Sequence, residues 1–399
     1  MTAAHVGLVG WGRVGWLERR GLASAGLIGK IPSVLLSREP GATFSAEPGA
    51  PELPPWRSVV AGSVVAFVTL VAALLATRAA GVPLRDPDHV AAKYLVLVGC
   101  SVMVLVGLDV AVRAGRRSGT LTPSRAAMRS VRRERWSWHR GVAVGSALVS
   151  FYVSYMAYRN LKGVVPLLRP GELFDRQLAD FERSLFGGND PAALLHSVLG
   201  TGVQTQVLSA VYVIFIVLLP LSLALALVFS PNLRGGLFYA TALSINWPLG
   251  AASYFMLPAL GPVYAEPASF AHLPATETSY LQGVLLDQRL EYLRDPVAAD
   301  VAQSIAAFAS VHISMIFTAA VAAHLLRLER RLRIGLWMLL AATTAATIYL
   351  GWHYVVDDVA GVVIGLAAIA LARGLTGFEP RTARRLHTPK AKPVSSYAK

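Results

Sequence analysis

The sequence is poor in charged residues and almost free of cysteine. Charged residues make up 15% of the 399 positions and hydrophobic residues 54%, whereas a soluble globular domain carries about a quarter charged residues. The single cysteine, Cys100, excludes a disulfide or a cysteine-based metal site within one chain. Residues 1–31 lack a compact apolar run followed by a cleavage site, so they do not predict a signal peptide.

What the chain does have is a formal net charge of +14. Such a charge would suit a nucleic-acid-binding protein, but the basic residues lie in loops between long apolar runs. Membrane orientation explains this distribution, because the cytoplasmic loops of membrane proteins are enriched in lysine and arginine. We therefore expect membrane lipids as partners and no nucleic acid.

Eight apolar runs have the length, or nearly the length, of a transmembrane helix, which needs about 20 residues. They cover residues 58–77, 91–112, 141–158, 205–229, 236–260, 301–326, 334–352 and 358–372. Polar stretches at 159–200 and 261–303 interrupt the series, and helical spacing of apolar residues in the first predicts an interfacial amphipathic helix. The predicted fold class is an all-α integral membrane protein with about eight transmembrane helices.

The runs divide the chain into four predicted parts. Residues 1–56 form a cytoplasmic segment with a disordered linker, 57–139 two additional transmembrane helices and an arginine-rich loop, 140–373 a six-helix core, and 374–399 a basic tail. With the N-terminus in the cytoplasm, the arginine-rich loops and the tail lie inside and the acidic stretch 261–303 lies outside, as the positive-inside rule requires. We expect the protein in the plasma membrane.

Three pairs of polar residues fall at the outer ends of predicted helices. They are Lys162 with Arg169, Ser310 with His312, and His353 with Asp357. Each pair has a purely structural interpretation: the cations would anchor the chain at the interface, a buried histidine would bond a backbone carbonyl, and the last pair would cap a helix. Ionisable residues at membrane depth are costly, however, and usually functional. Together they supply what phosphoryl transfer needs, namely cations for the phosphate oxygens, an imidazole to attack phosphorus and another to protonate the leaving oxygen.

In order and spacing, Lys162-x6-Arg169-Pro170, Ser310-Val311-His312 and His353-x3-Asp357 resemble the three-part signature of the type-2 phosphatidic acid phosphatase superfamily. The resemblance covers the six-helix core. The sequence YFMLPALGP at residues 254–262, together with His353-Tyr354, resembles the branch that contains the inositol phosphorylceramide synthases.

The resemblance implies a role for each residue. His353 would be the nucleophile that forms a phosphohistidine, Asp357 would orient it, and His312 would protonate the leaving group. The phosphoryl oxygens would be bound by Lys162, Arg169 and Ser310, with no metal or other cofactor.

The resemblance also implies a substrate class, a lipid or polyprenyl phosphate ester that reacts at the extracytoplasmic face. Water, a sugar, inositol and a lipid hydroxyl stay open as acceptors, and the oligomeric state stays open as well. The alternative is a non-catalytic relative that serves as a membrane carrier or partner-binding protein.

The sequence departs from the family signature in two places. Val311 replaces a glycine that lets the backbone approach phosphate. Ala346 and Thr347 replace a Ser-Arg pair, so one phosphate-binding cation is missing, and Arg159 is a candidate substitute. The inositol phosphorylceramide synthase branch lacks the same arginine.

The eighth run begins with two adjacent aspartates and has few uncharged residues after them. Because carboxylates in lipid are costly, we expect these aspartates to lie in a polar cavity at the outer leaflet. The cavity would open sideways to lipid and would be lined by Lys162, Arg169, His312 and His353.

Overall fold

A computed structural model describes residues 56–230 and 233–380. The predicted linker and the preceding segment, as well as most of the predicted basic tail, lie outside the described residues. Within the described residues the chain forms α-helices and short 3₁₀ turns and no strands, so the predicted all-α fold is confirmed.

Thirteen α-helices follow one another along the described chain. In order they are α1 (Trp56–Ala79), α2 (Val90–Ser118), α3 (Arg125–Arg135), α4 (Trp138–Leu168), α5 (Asp175–Leu185), α6 (Pro191–Leu199), α7 (Val203–Phe229), α8 (Leu233–Met256), α9 (Pro262–Ala265), α10 (Glu277–Arg294), α11 (Val311–Leu325), α12 (Arg330–Tyr349) and α13 (Val355–Thr376). Six of them are long and apolar enough to cross a membrane, namely α1, α2, α4, α7, α12 and α13. The other two predicted spans correspond to α8 and α11, which lie in the interior of the bundle.

Helix α8 is the centre of the bundle. Most of its side chains are buried, and it packs against α1, α4, α7, α11 and α13. A helix that is apolar on every side is buried either in lipid or among other helices, and the burial of most residues of α8 shows that other helices surround it. The long helices therefore share one core instead of forming separate groups.

The sixth predicted span is wrong at its start. Residues 301–310 are not helical, and α11 begins only at Val311, with the Ser310 hydroxyl accepting a hydrogen bond from the Ile313 N–H. The preceding apolar residues bond to other loops instead: Ala307 N–H donates to the Ala259 carbonyl and Ala309 N–H to the Ser253 hydroxyl. A serine N-cap thus outweighs the apolar composition that suggested a longer helix.

The eighth span also differs from its prediction. Helix α13 starts at Val355, three residues before the predicted boundary, and runs to Thr376. At 1.5 Å per residue it is about 33 Å long, enough for a hydrocarbon layer of about 30 Å. Asp357 and Asp358 lie buried in its first turn, where the positive end of the helix dipole favours carboxylates.

The two N-terminal helices are integral parts of the bundle. Helix α1 packs closely on α4, where the Ser63 hydroxyl lies 3.2 Å from the hydroxyls of Ser146 and Ser150. It also reaches α13, because the Ser58 hydroxyl donates to the Thr376 carbonyl at 3.0 Å. Helix α2 packs against α4 and α7.

The end of the bundle toward which α4 and α12 run is covered by α5, α6, α9 and α10 together with their connecting loops. A short amphipathic helix forms at α5, within the stretch 159–200. Leu178 is buried between Asp175 and Glu182, whereas Phe181 and Leu185 are exposed. The buried stripe of α5 therefore carries two carboxylates, and these point at the loops of the site described next.

Candidate active site

A cavity of about 290 Å³ lies between α4, α7, α8 and the loops that precede α11 and α13. Three of the predicted site residues, Lys162, His312 and His353, are part of its wall. They come from three helices or loops that are distant in sequence. The cavity thus brings these groups to one place, where they can act on one ligand.

His353 lies in the loop just before α13, within ion-pair distance of Asp357. The Nδ1 atom of His353 is 3.4 Å from Oδ2 of Asp357. The same oxygen accepts a 2.9 Å hydrogen bond from the Tyr354 N–H. Asp357 is thus a helix cap that lies within ion-pair distance of the imidazole, although Nδ1 forms no hydrogen bond with it.

His312 is the second residue of α11 and faces His353, with 6.3 Å between the ring centroids. Its ring is stacked on Tyr212 at 4.6 Å and packs against Phe215 at 4.4 Å, both from α7. Tyr212 in turn stacks on Trp352, next to His353, at 4.9 Å. Aromatic packing thus fixes the two histidines relative to each other.

Lys162 lies near the outer end of α4, with Nζ 5.0 Å from the ring centre of Tyr254 and 5.8 Å from that of Tyr158. The two tyrosine hydroxyls are 3.0 Å apart. Cation–π contacts of this kind hold an ammonium group without neutralising it. Within the described part of the chain Lys162 forms no salt bridge, so its amino group can contact a ligand in the cavity.

For Arg169 and Ser310 the structure differs from the expectation. The Arg169 guanidinium leaves the cavity and bonds to the Glu172 carboxylate and the Phe255 carbonyl. Ser310 is fully buried, and its N–H donates to the Asp357 carbonyl at 2.9 Å while its hydroxyl caps α11. Neither residue lines the cavity, because Arg169 bonds to Glu172 and α8 and Ser310 bonds to α13 and to its own helix.

Arg159 does line the cavity, one helical turn below Lys162. Its guanidinium lies 3.1 Å from the Asp86 carboxylate, in the loop between α1 and α2. Both side chains of this pair are largely buried. Arg159 is thus the second cation of the cavity, at the place where the sequence pattern suggested a substitute for the missing arginine.

The missing Ser-Arg pair of the third motif has a structural explanation. Thr347, at the position of the arginine, is fully buried and donates a 2.8 Å hydrogen bond to Oδ2 of Asp358. Its carbonyl also accepts from the His353 N–H at 3.3 Å. Thr347 therefore supports the loop and does not reach the cavity.

The altered second motif is accommodated by a glycine on the neighbouring helix. Val311 packs directly on Gly250 of α8, where a Cβ added to the glycine would lie only 2.5 Å from Cγ2 of Val311. The side chain of Val311 thus occupies the space that is left free because residue 250 is a glycine. Val311 takes part in the cavity wall next to His312.

Two carboxylates of α5 were not identified from the sequence. Asp175 accepts hydrogen bonds from the backbone N–H groups of Leu260 and Gly261, at 3.0 and 2.8 Å, and from the Tyr354 hydroxyl at 3.2 Å. Glu182 accepts from the Val355 N–H at 2.8 Å. Their spacing of seven residues on an amphipathic helix was the available signal.

These bonds join the loops on either side of the cavity. Gly261 has a φ of +101°, and a side chain there would meet the Trp352 carbonyl at 2.5 Å. The Val263 N–H donates to the Gly351 carbonyl at 2.9 Å. The loop that carries His353 is therefore held from one side by α5 and from the other by the turn after α8.

Burial raises the pKa of Glu182 to about 7, and the neighbouring charges of Asp190 and Asp357 act in the same direction. The Val355 N–H and Arg183 oppose this shift by stabilising the carboxylate. Glu182 therefore changes its charge near neutral pH while it bonds to the start of α13.

Comparison with known families places this geometry in context. The family model of the PAP2 superfamily matches residues 176–371, slightly less than half of the chain. The match supports the type-2 phosphatidic acid phosphatase superfamily and an integral membrane protein of phosphatase type, but not the inositol phosphorylceramide synthase branch. It includes His312, His353 and Asp357 and begins after Lys162 and Arg159. Comparisons with curated proteins and with solved structures gave no match.

Proposed function

We propose that this chain is a membrane-embedded lipid phosphatase or phosphotransferase that acts on a lipid or polyprenyl phosphate ester through a phosphohistidine. The observation that carries the proposal is the pair of imidazoles, 6.3 Å apart, on one cavity wall with the Lys162 ammonium. These three groups can bind a phosphoryl group and exchange one of its oxygen substituents without an additional catalytic side chain.

In the first step Lys162 and Arg159 hold the phosphoryl oxygens and Nε2 of His353 attacks phosphorus. The P–N bond forms as the P–O bond to the lipid alcohol breaks, and His312 gives its proton to the departing oxygen. Asp357 stabilises the charge that develops on the attacking ring, through Nδ1.

In the second step His312 takes a proton from the acceptor hydroxyl, whose oxygen attacks the phosphohistidine. The P–N bond breaks, and His353 and His312 return to their starting states. Water as acceptor gives a phosphatase, whereas an inositol, sugar or lipid hydroxyl gives a transferase. The loop charges favour a reaction at the extracytoplasmic face of the plasma membrane.

A non-catalytic carrier is the second candidate. The observation that favours it is the engagement of Arg169 with Glu172 and Phe255 outside the cavity, which removes one cation that the family signature supplies. Lys162 and Arg159 nevertheless leave two cations on the cavity wall, and for this reason we prefer the enzyme.

The test is a substrate screen with purified protein. Phosphate release is measured from phosphatidic acid, polyprenyl monophosphate and polyprenyl diphosphate, with and without inositol, for the wild type and for His353→Ala. We expect turnover of at least one of these lipids and its loss in His353→Ala, with acid-labile ³²P bound to the wild-type protein. His272→Ala is the control, because His272 is exposed on the same side and lies outside the cavity wall. Full activity of His353→Ala would remove the phosphohistidine from the mechanism, and inactivity of the wild type on every lipid would favour the carrier.

A further inference from the structure

The cavity continues well beyond the histidines. Along α4 its wall runs from Lys162 back to Phe151, and along α7 from Tyr212 to Pro220. At 1.5 Å per residue these stretches are about 16 and 12 Å long. Both lead away from the outer ends of their helices, so the inner part of the cavity, here named the inner arm, extends toward the middle of the membrane.

The inner arm differs chemically from the part around the histidines. Its wall consists of aromatic and aliphatic side chains from four helices: Tyr94, Phe151, Tyr155, Ile216, Leu219 and Trp247. The rings of Tyr155 and Trp247 are 5.0 Å apart and form one continuous surface. The cations Arg159 and Lys162 lie at its outer end. A ligand that fits both parts has an anionic head and an apolar substituent.

The arm reaches the surface of the protein between α2 and α7. Of its lining side chains Ile216 is 38% exposed, and Tyr94 and Pro220 are partly exposed. Their neighbour Val217 is 65% exposed and points outward from the same helix. Apolar side chains exposed on a membrane-spanning helix face lipid, so the opening leads into the bilayer.

Much of this wall lies outside the family match. Tyr94 belongs to α2, and Phe151 and Tyr155 belong to α4, whereas the match begins at residue 176. The Asp86–Arg159 ion pair connects the loop before α2 to α4 beside the arm. Helices α2 and α4 thus complete a compartment that the matched segment alone does not enclose.

We propose that the inner arm binds the first part of a single apolar chain, with the phosphate at Lys162 and the chain leaving between α2 and α7. This inference rests on the proposed function and selects, within its substrate range, a one-chain phosphate such as a polyprenyl phosphate over a diacyl phosphate. The arm is a single compartment, and the smaller cavities of about 30 and 150 Å³ do not continue its apolar wall. Flat aromatic walls suit a chain with planar double bonds.

The first test fills the opening. Ile216→Trp is compared with Val217→Trp, which adds the same volume on the lipid-facing side. Turnover is measured with polyprenyl monophosphate and phosphatidic acid in phosphatidylcholine vesicles and with a short, water-soluble aryl phosphate. We expect Ile216→Trp to lower polyprenyl phosphate turnover about tenfold or more and aryl phosphate turnover by less than about twofold, because remote binding energy is lost only for the long substrate. Val217→Trp should change neither polyprenyl phosphate turnover nor aryl phosphate turnover. Equal losses on both substrates, no loss in Ile216→Trp, or a wild type that prefers phosphatidic acid would overturn the inference.

The second test does not depend on turnover. A single-chain alkyl monophosphate with a diazirine in the chain is photolysed with the protein in phosphatidylcholine vesicles, and the labelled peptides are identified by mass spectrometry. We expect labels at Tyr94, Tyr155 or Ile216 in the wild type and in His353→Ala, and their loss in Ile216→Trp. Labels confined to lipid-facing residues such as Val217 would contradict the inference. Labels in the arm of a protein that neither releases phosphate nor transfers it to an acceptor alcohol would support the arm and reject the enzyme.

Discussion

His312 and His353 face each other across the cavity at 6.3 Å between ring centroids, although one begins α11 and the other precedes α13. Neither is positioned by the other. Tyr212 of α7 touches His312 on one side and Trp352 on the other, so a third helix sets the separation. The gap is suited to one tetrahedral phosphoryl group in contact with both rings, which is the arrangement that in-line exchange of substituents needs.

The two cations of the first motif should differ in importance. We expect Lys162→Met to lower kcat/KM for phosphate release by about a hundredfold or more, because it removes a charge that faces the phosphoryl oxygens. Arg169→Met should cost less than about fivefold, since a rim charge paired with its own neighbour contributes little. The loss of kcat/KM in Arg159→Met should lie between those of Lys162→Met and Arg169→Met. Equal losses for Lys162→Met and Arg169→Met would mean that Arg169 turns into the cavity when substrate binds.

Asp357→Asn tests how His353 is oriented. The amide retains an oxygen for the Tyr354 N–H but loses the charge beside Nδ1. We expect a loss of about a hundredfold or more in kcat with a nearly unchanged melting temperature, by analogy with other histidine–carboxylate pairs. Asp358→Asn is the comparison, because that carboxylate bonds to Thr347. A larger loss in Asp358→Asn than in Asp357→Asn would assign the orienting role to Asp358.

Gly250 and Val311 should behave as a coupled pair. Gly250→Ala places a methyl group 2.5 Å from Val311 Cγ2, and overpacking of this kind costs about 1–3 kcal/mol. Val311→Ala removes the clashing atom, so the double variant should be more stable than the sum of the single changes predicts, by about 1 kcal/mol or more. The measurement is the free energy of unfolding of all four proteins in detergent. Strict additivity would show that α8 shifts away from α11 at no cost.

The stability of the protein should contain a pH-dependent contribution from Glu182. Its pKa is raised by burial from 4.5 to about 7, so the folded chain binds this proton more tightly than the unfolded chain. The contribution is fully present below pH 4.5 and is lost as the pH rises through about 7. Glu182→Gln should therefore gain stability relative to the wild type as the pH is raised from 5 to 8, by at most about 1.4 kcal/mol per pH unit.

The measurement is the unfolding midpoint of both proteins across this range. Glu277→Gln, which removes an exposed carboxylate at the start of α10, serves as control and should follow the wild-type profile. A constant difference between wild type and Glu182→Gln at every pH would show that Glu182 keeps one protonation state.

The last prediction concerns the side of the membrane on which the two termini lie. A reporter fused after Pro380 should read as cytoplasmic, as should one at the N-terminus, because eight spans return the chain to its starting side. A reporter inserted at Gly187, between α5 and α6, should read as extracytoplasmic and controls for access. An extracytoplasmic signal after Pro380 would mean that α8 or α11 does not cross the membrane.

The sequence allowed a correct prediction of the all-helical membrane fold because hydropathy depends only on composition over about 20 residues. The hydropathy pattern placed the starts of α11 and α13 wrongly. Ser310 and Asp357 cap these helices, and an average over about 20 residues does not detect single capping residues. Arg169 was assigned to the cavity from spacing alone, whereas its partner is the nearby Glu172. The contribution of Asp175 depends on α5 folding back over the site, and the spacing of Asp175 and Glu182 places them on one helix face without showing what that face packs against.

The opening between α2 and α7 has a kinetic consequence. An enzyme that receives its substrate sideways, past Ile216 and Tyr94, responds to the number of substrate molecules per lipid in its own leaflet and not to their amount per volume of solution. Adding inert lipid or detergent at a fixed total amount of substrate would then slow the reaction by surface dilution. Encounter becomes a two-dimensional search, and crowding of the leaflet by other proteins acts directly on the rate.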